Sequence, residues 1–270
     1  MAYRDFTTAP RWARTSERDA SDTDNWLEWL VEQRVLHDYV PFPDNACEFC
    51  GGPVAEDGVG GYWQRCYNCN QARNYVDELV AASFSLDNGL ESLVRAYKDF
   101  GHEWTAAPLA TLLWETIDRH GDCLRAAAGR KAIFTWVPSD DESRSFDHIE
   151  RLLTSVGEPS EFDWRGDVVA RNRSAARPGP GSNQVYIAPD AYSVRVDVDG
   201  RTIVLLDDLW TSGASMASTA AALRAAGAAR VIGIVLGRQL KRGSTYGNSA
   251  HVFDEAEGRT WAFTSCALCA

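Results

Sequence analysis

The chain has 270 residues, with 45% hydrophobic and 24% charged side chains and a formal net charge of −11. That length and balance suit one α/β domain of ordinary size plus a small appendage. The acidic total disfavours broad, non-specific nucleic-acid binding, because it repels phosphate backbones at long range.

Residues 1–20 are polar and basic and read as a loose arm. They hold no apolar stretch after their charges, so no secretory signal is expected. Ser21 or Asp22 then caps a helix to about His37, with Trp26, Leu27, Leu30, Val31 and Leu36 at helical spacing. Pro41 and Pro43 end it. Residues 44–75 change to Cys, Gly, Asn and aromatic residues, a small cysteine module. The expected division is therefore an arm and helix over 1–43, the module over 44–75 and an α/β domain over 76–270. Residues 78–86 read as a strand and Asp87-Asn88-Gly89 as a turn. Helices follow over 90–100 and 103–120. Ile133–Val137 is an apolar strand, Phe146–Val156 a helix, 171–184 an aperiodic mobile loop and Val194–Val198 an edge strand. Ile203–Leu206 and Val231–Leu236 are continuous apolar runs around an alanine-rich helix over 213–226. Such strands belong to a parallel sheet covered by helices on both faces. No run approaches the roughly 20 apolar residues of a membrane span.

The strand at Ile203 ends in Asp207-Asp208-Leu209-Trp210-Thr211-Ser212-Gly213-Ala214-Ser215. Ligands of open α/β sheets sit at the carboxyl ends of strands. The backbone N–H groups that open the next helix attract a phosphate, and Thr211, Ser212 and Ser215 add hydroxyl donors. Asp207 and Asp208 cannot bind phosphate, but they accept hydrogen bonds from sugar hydroxyls or face Mg²⁺. Acids beside a phosphate cradle point to a ribose 5-phosphate. An ordinary βα turn with a Ser/Thr cap is the plainer alternative.

Six of the seven cysteines form three Cys-x-x-Cys pairs. The expected compartment is the cytoplasm, where cysteines serve more often as metal ligands than as disulfides. Cys47/Cys50 and Cys66/Cys69 lie 15 residues apart, a zinc-ribbon spacing whose closed Cys₄ set would make Zn²⁺ structural, with a redox dithiol or a set of free thiols as the alternatives. Cys266 and Cys269 either replace or supplement one of these pairs or form a redox or adventitious thiol pair. Cys123 stands alone and reads as a core or surface thiol.

The Asp207–Ser215 run resembles the phosphoribosyl-diphosphate (PRPP) motif of type I phosphoribosyltransferases. The resemblance implies that Asp207 and Asp208 hold the ribose 2′- and 3′-hydroxyls at the catalytic centre. It implies that Thr211, Ser212, Gly213, Ala214 and Ser215 wrap the 5′-phosphate. With the Cys₄ module upstream, and with Lys98, Phe100 and Gly101 following it, the chain resembles the ComF-type competence family over residues 45–240. That family's Val-Pro strand end is matched by Val137-Pro138. Its Arg-Gly-Phe-Asn-Gln segment reads Arg144-Ser145-Phe146-Asp147-His148 here. Lys98 and Arg144 are then ligand-binding candidates, Mg²⁺ would accompany PRPP, and a protein partner in DNA uptake is implied.

Some features depart from a transferase. Ser139-Asp140-Asp141-Glu142-Ser143 puts three carboxylates where pyrophosphate would leave; these repel it unless Mg²⁺ intervenes, and the plainer reading of 139–143 is a solvated acidic loop. Arg171, Arg173 and Arg177 are either a closing lid or an exposed basic loop. His148 reads as a surface or capping residue. Arg238, Lys241 and Arg242 read as a solvated basic face. Trp26, Trp29, Trp63 and Trp114 read mostly as core anchors, and Trp210 as either buried or stacked on a ligand. Two expectations follow: an enzyme moving a phosphoribosyl group from PRPP to a nitrogen acceptor, or a non-catalytic module that binds PRPP or a nucleotide-like molecule and acts through protein partners.

Overall fold

The computed structural model describes residues 4–139, 146–155, 162–180 and 185–269. A short helix, α1 (Arg11–Thr15), precedes α2 (Thr23–Glu32), which Asp22 caps by accepting the Asp24 N–H at 2.9 Å. The helix stops well before His37. Arg34 turns left-handed (φ 52°), after which Val35 and Leu36 are buried outside the helix and His37 bridges Phe84. The cysteine module contains α3 (Cys69–Ala72). Then come β1 (Glu78–Leu86), α4 (Leu90–Lys98), α5 (Ala106–Ala128), β2 (Ile133–Trp136) and α6 (His148–Ser155). Three short strands, β3 (Val169–Arg171), β4 (Gly179–Pro180) and β5 (Val185–Tyr186), lead to β6 (Tyr192–Val194). The last elements are β7 (Thr202–Trp210), α7 (Ala214–Ala225), β8 (Arg230–Leu240) and α8 (Ser249–Glu257).

The architecture is α/β. Four parallel strands in the order β1-β8-β7-β2 carry helices on both faces. Successive strand side chains point to opposite faces, so β7 feeds two cores. Ile203 and Leu205 pack with α7, α8 and the cysteine module. Val204 and Leu206 pack with α2, α4, α5 and α6. Both faces are covered, which is why the strand sequences are continuously apolar rather than alternating. Alanine on α7 lets that helix lie close to the sheet: Ala217, Ala220 and Ala221 are all buried.

Several elements differ from their sequence patterns. The edge strand expected at Val194–Val198 lies upstream at Tyr192–Val194, where it pairs antiparallel with Val169–Arg171. Helix α5 runs past residue 120 to Ala128, through Gly121. Trp26 and Trp29 anchor the core, whereas Trp63 is exposed. No described helix is long and apolar enough to cross a membrane.

Candidate functional site

Strand β7 continues beyond its aliphatic run, so the acid pair sits inside the strand. Asp207 is paired with Val235, Leu209 with Gly237 and Trp210 with Arg238. Alternation therefore sends the two acids to different sides of the strand end. Asp207 is half-buried, and its Oδ1 accepts the Asp208 N–H at 2.9 Å. Asp208 is 6% exposed and faces α4 and α6. Lys98 Nζ lies 2.5 Å from its Oδ2, and His148 Nε2 lies 3.1 Å from the same oxygen. Its Oδ1 accepts the Leu209 N–H at 2.7 Å. Burial alone would raise the Asp208 pKa. The Lys98 ammonium and the His148 hydrogen bond outweigh burial and hold the carboxyl well below the usual range.

His148 is thus neither a surface residue nor a cap. The cap of α6 is Asp147, whose Oδ1 accepts the Ile149 and Glu150 N–H groups at 2.9 and 3.1 Å and whose Oδ2 takes the Trp136 indole N–H at 3.1 Å. That cap fixes the first turn of α6 against β2 and turns the next residue, His148, into the core at 3% exposure. Tyr97 donates its hydroxyl to the His148 carbonyl at 3.1 Å, and burial pushes its phenol up to about 12.

After Trp210 the chain turns through Thr211 and Ser212 into Gly213. Gly213 adopts φ +77°, and a Cβ there would lie 2.3 Å from the Trp210 ring. Only glycine fits both the left-handed backbone and the close approach. Trp210 is itself buried, at 1% exposure, beneath the loop. The first turn of α7 then leaves N–H groups without intrahelical partners. Ser212 Oγ accepts one of them, from Ala214, at 3.3 Å.

A cleft of about 660 Å³ opens over this loop. Asp207, Asp208, Lys98, His148 and Thr211–Ser215 all line it, as do Pro138 and Ser139 at the end of β2. Arg95 and Arg177 also line it. Arg177 is the one expected lid arginine that reaches the cleft. Arg171 folds back instead, donating to the carbonyls of Asn172 and Ala191 and stacking on Tyr192. The expectations for the acidic stretch Asp140–Glu142 and for Arg144 fall outside the described residues.

No family model matches the chain, and no curated protein does. Among solved structures, a hypoxanthine phosphoribosyltransferase from Staphylococcus aureus is similar at 10% identity and a TM-score of 0.26, over 63% of this chain and 80% of that one. At that score the likeness adds nothing to the geometry of the cleft.

Cys47, Cys50, Cys66 and Cys69 are buried, and their sulfurs lie within 4.8 Å of one another. The Cys50 and Cys66 sulfurs are 3.8 Å apart, close to the edge of about 3.8 Å that Zn–S bonds of about 2.3 Å give a tetrahedron. Four converging thiols with no other ligand fit a structural Zn²⁺. The module packs on the sheet rather than hanging from it. Asn248 clamps it by accepting the Val54 N–H at 2.9 Å and donating to the Asn45 carbonyl at 2.8 Å. Phe49, inside the first knuckle, meets Trp210 edge-on at 5.8 Å.

Arg238 joins this module to the cleft, and it is buried rather than on a solvated face. Its Nη1 donates to the carbonyls of Trp210 at 3.2 Å, Thr211 at 3.3 Å and Gln239. Its other terminal nitrogen lies so close to Gly52 that a Cβ there would come within 2.3 Å. Burial disfavours the guanidinium charge, but the sulfurs of Cys50, Cys66 and Cys69 outweigh burial and raise its pKa. Nothing local in the sequence foretold this role. The only hint is an arginine at the end of an otherwise apolar strand.

Proposed function

We propose that the cleft binds PRPP, or a related ribose 5-phosphate ligand, as its Mg²⁺ complex, and that the protein is a phosphoribosyltransferase-like member of the ComF type. The observation that carries this reading is the order Asp207, buried Trp210, Thr211-Ser212 and left-handed Gly213 leading into the first turn of α7, all on one cleft. The N–H groups of that turn, with the hydroxyls of Thr211, Ser212 and Ser215, would hold the 5′-phosphate. Asp207 would accept the ribose hydroxyls. Asp208 takes a positioning role, because its Oδ2 is committed to Lys98 and His148; it holds the ammonium at the cleft floor. The upstream Cys₄ module and the Lys98-Phe100-Gly101 segment support the ComF assignment within this superfamily.

In the catalytic form of this reading, the anomeric carbon–oxygen bond to pyrophosphate breaks and a bond to an acceptor nitrogen forms. The acceptor's proton passes to solvent. Positioning and charge stabilisation would supply the acceleration. A second, non-catalytic reading keeps the ligand and acts through a protein partner in DNA uptake. The exposed Val59, Trp63 and Tyr67 of the cysteine module favour it.

Calorimetry with PRPP and Mg²⁺ tests the common core. Wild type should bind, and Asp207→Asn should weaken binding at least tenfold. No binding by wild type, or binding unchanged in the variant, would sink the site assignment. Pyrophosphate release across a panel of bases and amines then separates transfer from binding alone.

A further inference from the structure

The three cysteines outside the module do not scatter. Cys123 lies on α5, and Cys266 and Cys269 lie in the segment after α8, yet all three are brought to His120, also on α5. His120 and Cys123 are three residues apart on one helix face. Cys266 and Cys269 form a tight turn, with the Cys269 N–H donating to the Cys266 carbonyl at 3.0 Å. Cys269 Sγ sits 3.4 Å from Cys123 Sγ, 3.5 Å from Cys266 Sγ and 3.4 Å from His120 Nδ1. The four ligand atoms all lie within 4.8 Å of one another.

The histidine is pre-set for coordination. Its Nε2 lies 3.1 Å from the Phe263 carbonyl, which can only accept, so Nε2 carries the proton and Nδ1 offers its lone pair to the thiols. The Phe263 ring fixes the imidazole plane edge-on at 4.5 Å. The Cys266 N–H points at Cys269 Sγ at 3.2 Å, the kind of outer hydrogen bond that supports a thiolate ligand. His120 and Cys266 are buried while Cys269 is exposed, so the set has a closed floor and an entry path.

We propose that His120, Cys123, Cys266 and Cys269 form a second metal centre, a closed Cys₃His site for Zn²⁺, separate from the Cys₄ module. Three soft sulfurs and one imidazole nitrogen brought together suit that ion, which prefers four tetrahedral ligands, and four protein ligands leave no open position for chemistry. None of the four residues lines the cleft. The centre is a staple, fastening the segment after α8 across the sheet face that carries α5. Trp261, which donates its indole N–H to the Ala82 carbonyl at 2.9 Å, and Phe263 lie in that segment.

Metal analysis of the full chain, purified under reducing conditions, tests the proposal. Two zinc ions per chain are expected, with X-ray absorption showing seven sulfur ligands to one nitrogen across the pair. Cys123→Ser/Cys269→Ser should carry one. The proposal is overturned by one zinc per wild-type chain with Cys123, Cys266 and Cys269 alkylated in the native protein, by a disulfide among those three, or by two zinc ions in the double variant. If the variant does not fold, the wild-type metal count and the alkylation map still decide.

Discussion

Three side chains far apart in sequence decide the floor of the cleft. Asp208 would be costly to bury alone, and Lys98 and His148 make its charge tolerable. The sign of its pH dependence follows. The unfolded carboxyl titrates near 3.9 on average, and the folded one lies well below. The ion pair therefore stabilises fully above that unfolded value, and its contribution drains away as pH falls through the acid range. Asp208→Asn should cost about 3 kcal/mol at neutral pH, and its deficit should shrink as pH drops. Urea midpoints from about pH 7 down to about pH 3 check this; a deficit that stays constant would refute the pairing. Gly213 is the second decisive residue. Gly213→Ala meets a left-handed backbone and the Trp210 ring together. The backbone costs about 1–2 kcal/mol and overpacking about 1–3 more, so a loss of about 2–5 kcal/mol should appear in denaturant unfolding, with ligand binding abolished.

At the scale of elements, the β7–loop–α7 unit is held from behind by β8. Arg238 grips the loop carbonyls with one end of its guanidinium and faces the sulfurs of the cysteine module with the other. Arg238→Met keeps the bulk and removes the grip. The loop should lose register, and PRPP affinity should fall about tenfold, the worth of one or two hydrogen bonds, while zinc content at the Cys₄ site is unchanged. Calorimetry beside metal analysis reads both. Much of this unit was legible in the sequence. The continuous apolar runs at Ile203 and Val231 marked buried parallel strands, and the hydroxyl–glycine turn marked a helix start, which lies on the cleft. The end of β7 was not legible, because Asp207 and Asp208 are poor strand formers and only pairing with β8 keeps them extended. The Asp208–His148 contact spans 60 residues of sequence and Cys123–Cys269 spans 146, distances no local pattern encodes.

For the whole molecule, the two thiol clusters adjoin the cores on the two faces of one sheet and approach each other at its β1 edge, where Phe49 and Cys266 line one cleft. The Cys₄ module belongs to the core that holds α7 and Trp210. Cys266, with Cys123 packed against it, belongs to the core that holds α5 and Trp261. Stability is not uniform across a fold, and opening can be confined to one cooperative unit. Losing either metal should therefore loosen one face and spare the other. Hydrogen exchange on Cys123→Ser/Cys269→Ser should show faster exchange over residues 259–269 and the last turns of α5, with α7 and the Thr211–Ser215 turn still protected. PRPP affinity should stay within about twofold of wild type, since the four ligands are absent from the cleft lining. Cys47→Ser/Cys50→Ser should do the reverse. Phe49 and Arg238 tie that module to the loop, so exchange should rise around Trp210 and affinity should fall, while residues 259–269 keep their protection. Equal loosening of both faces by either double variant would mean that the sheet transmits the disturbance. The picture of two independent fasteners would then be wrong.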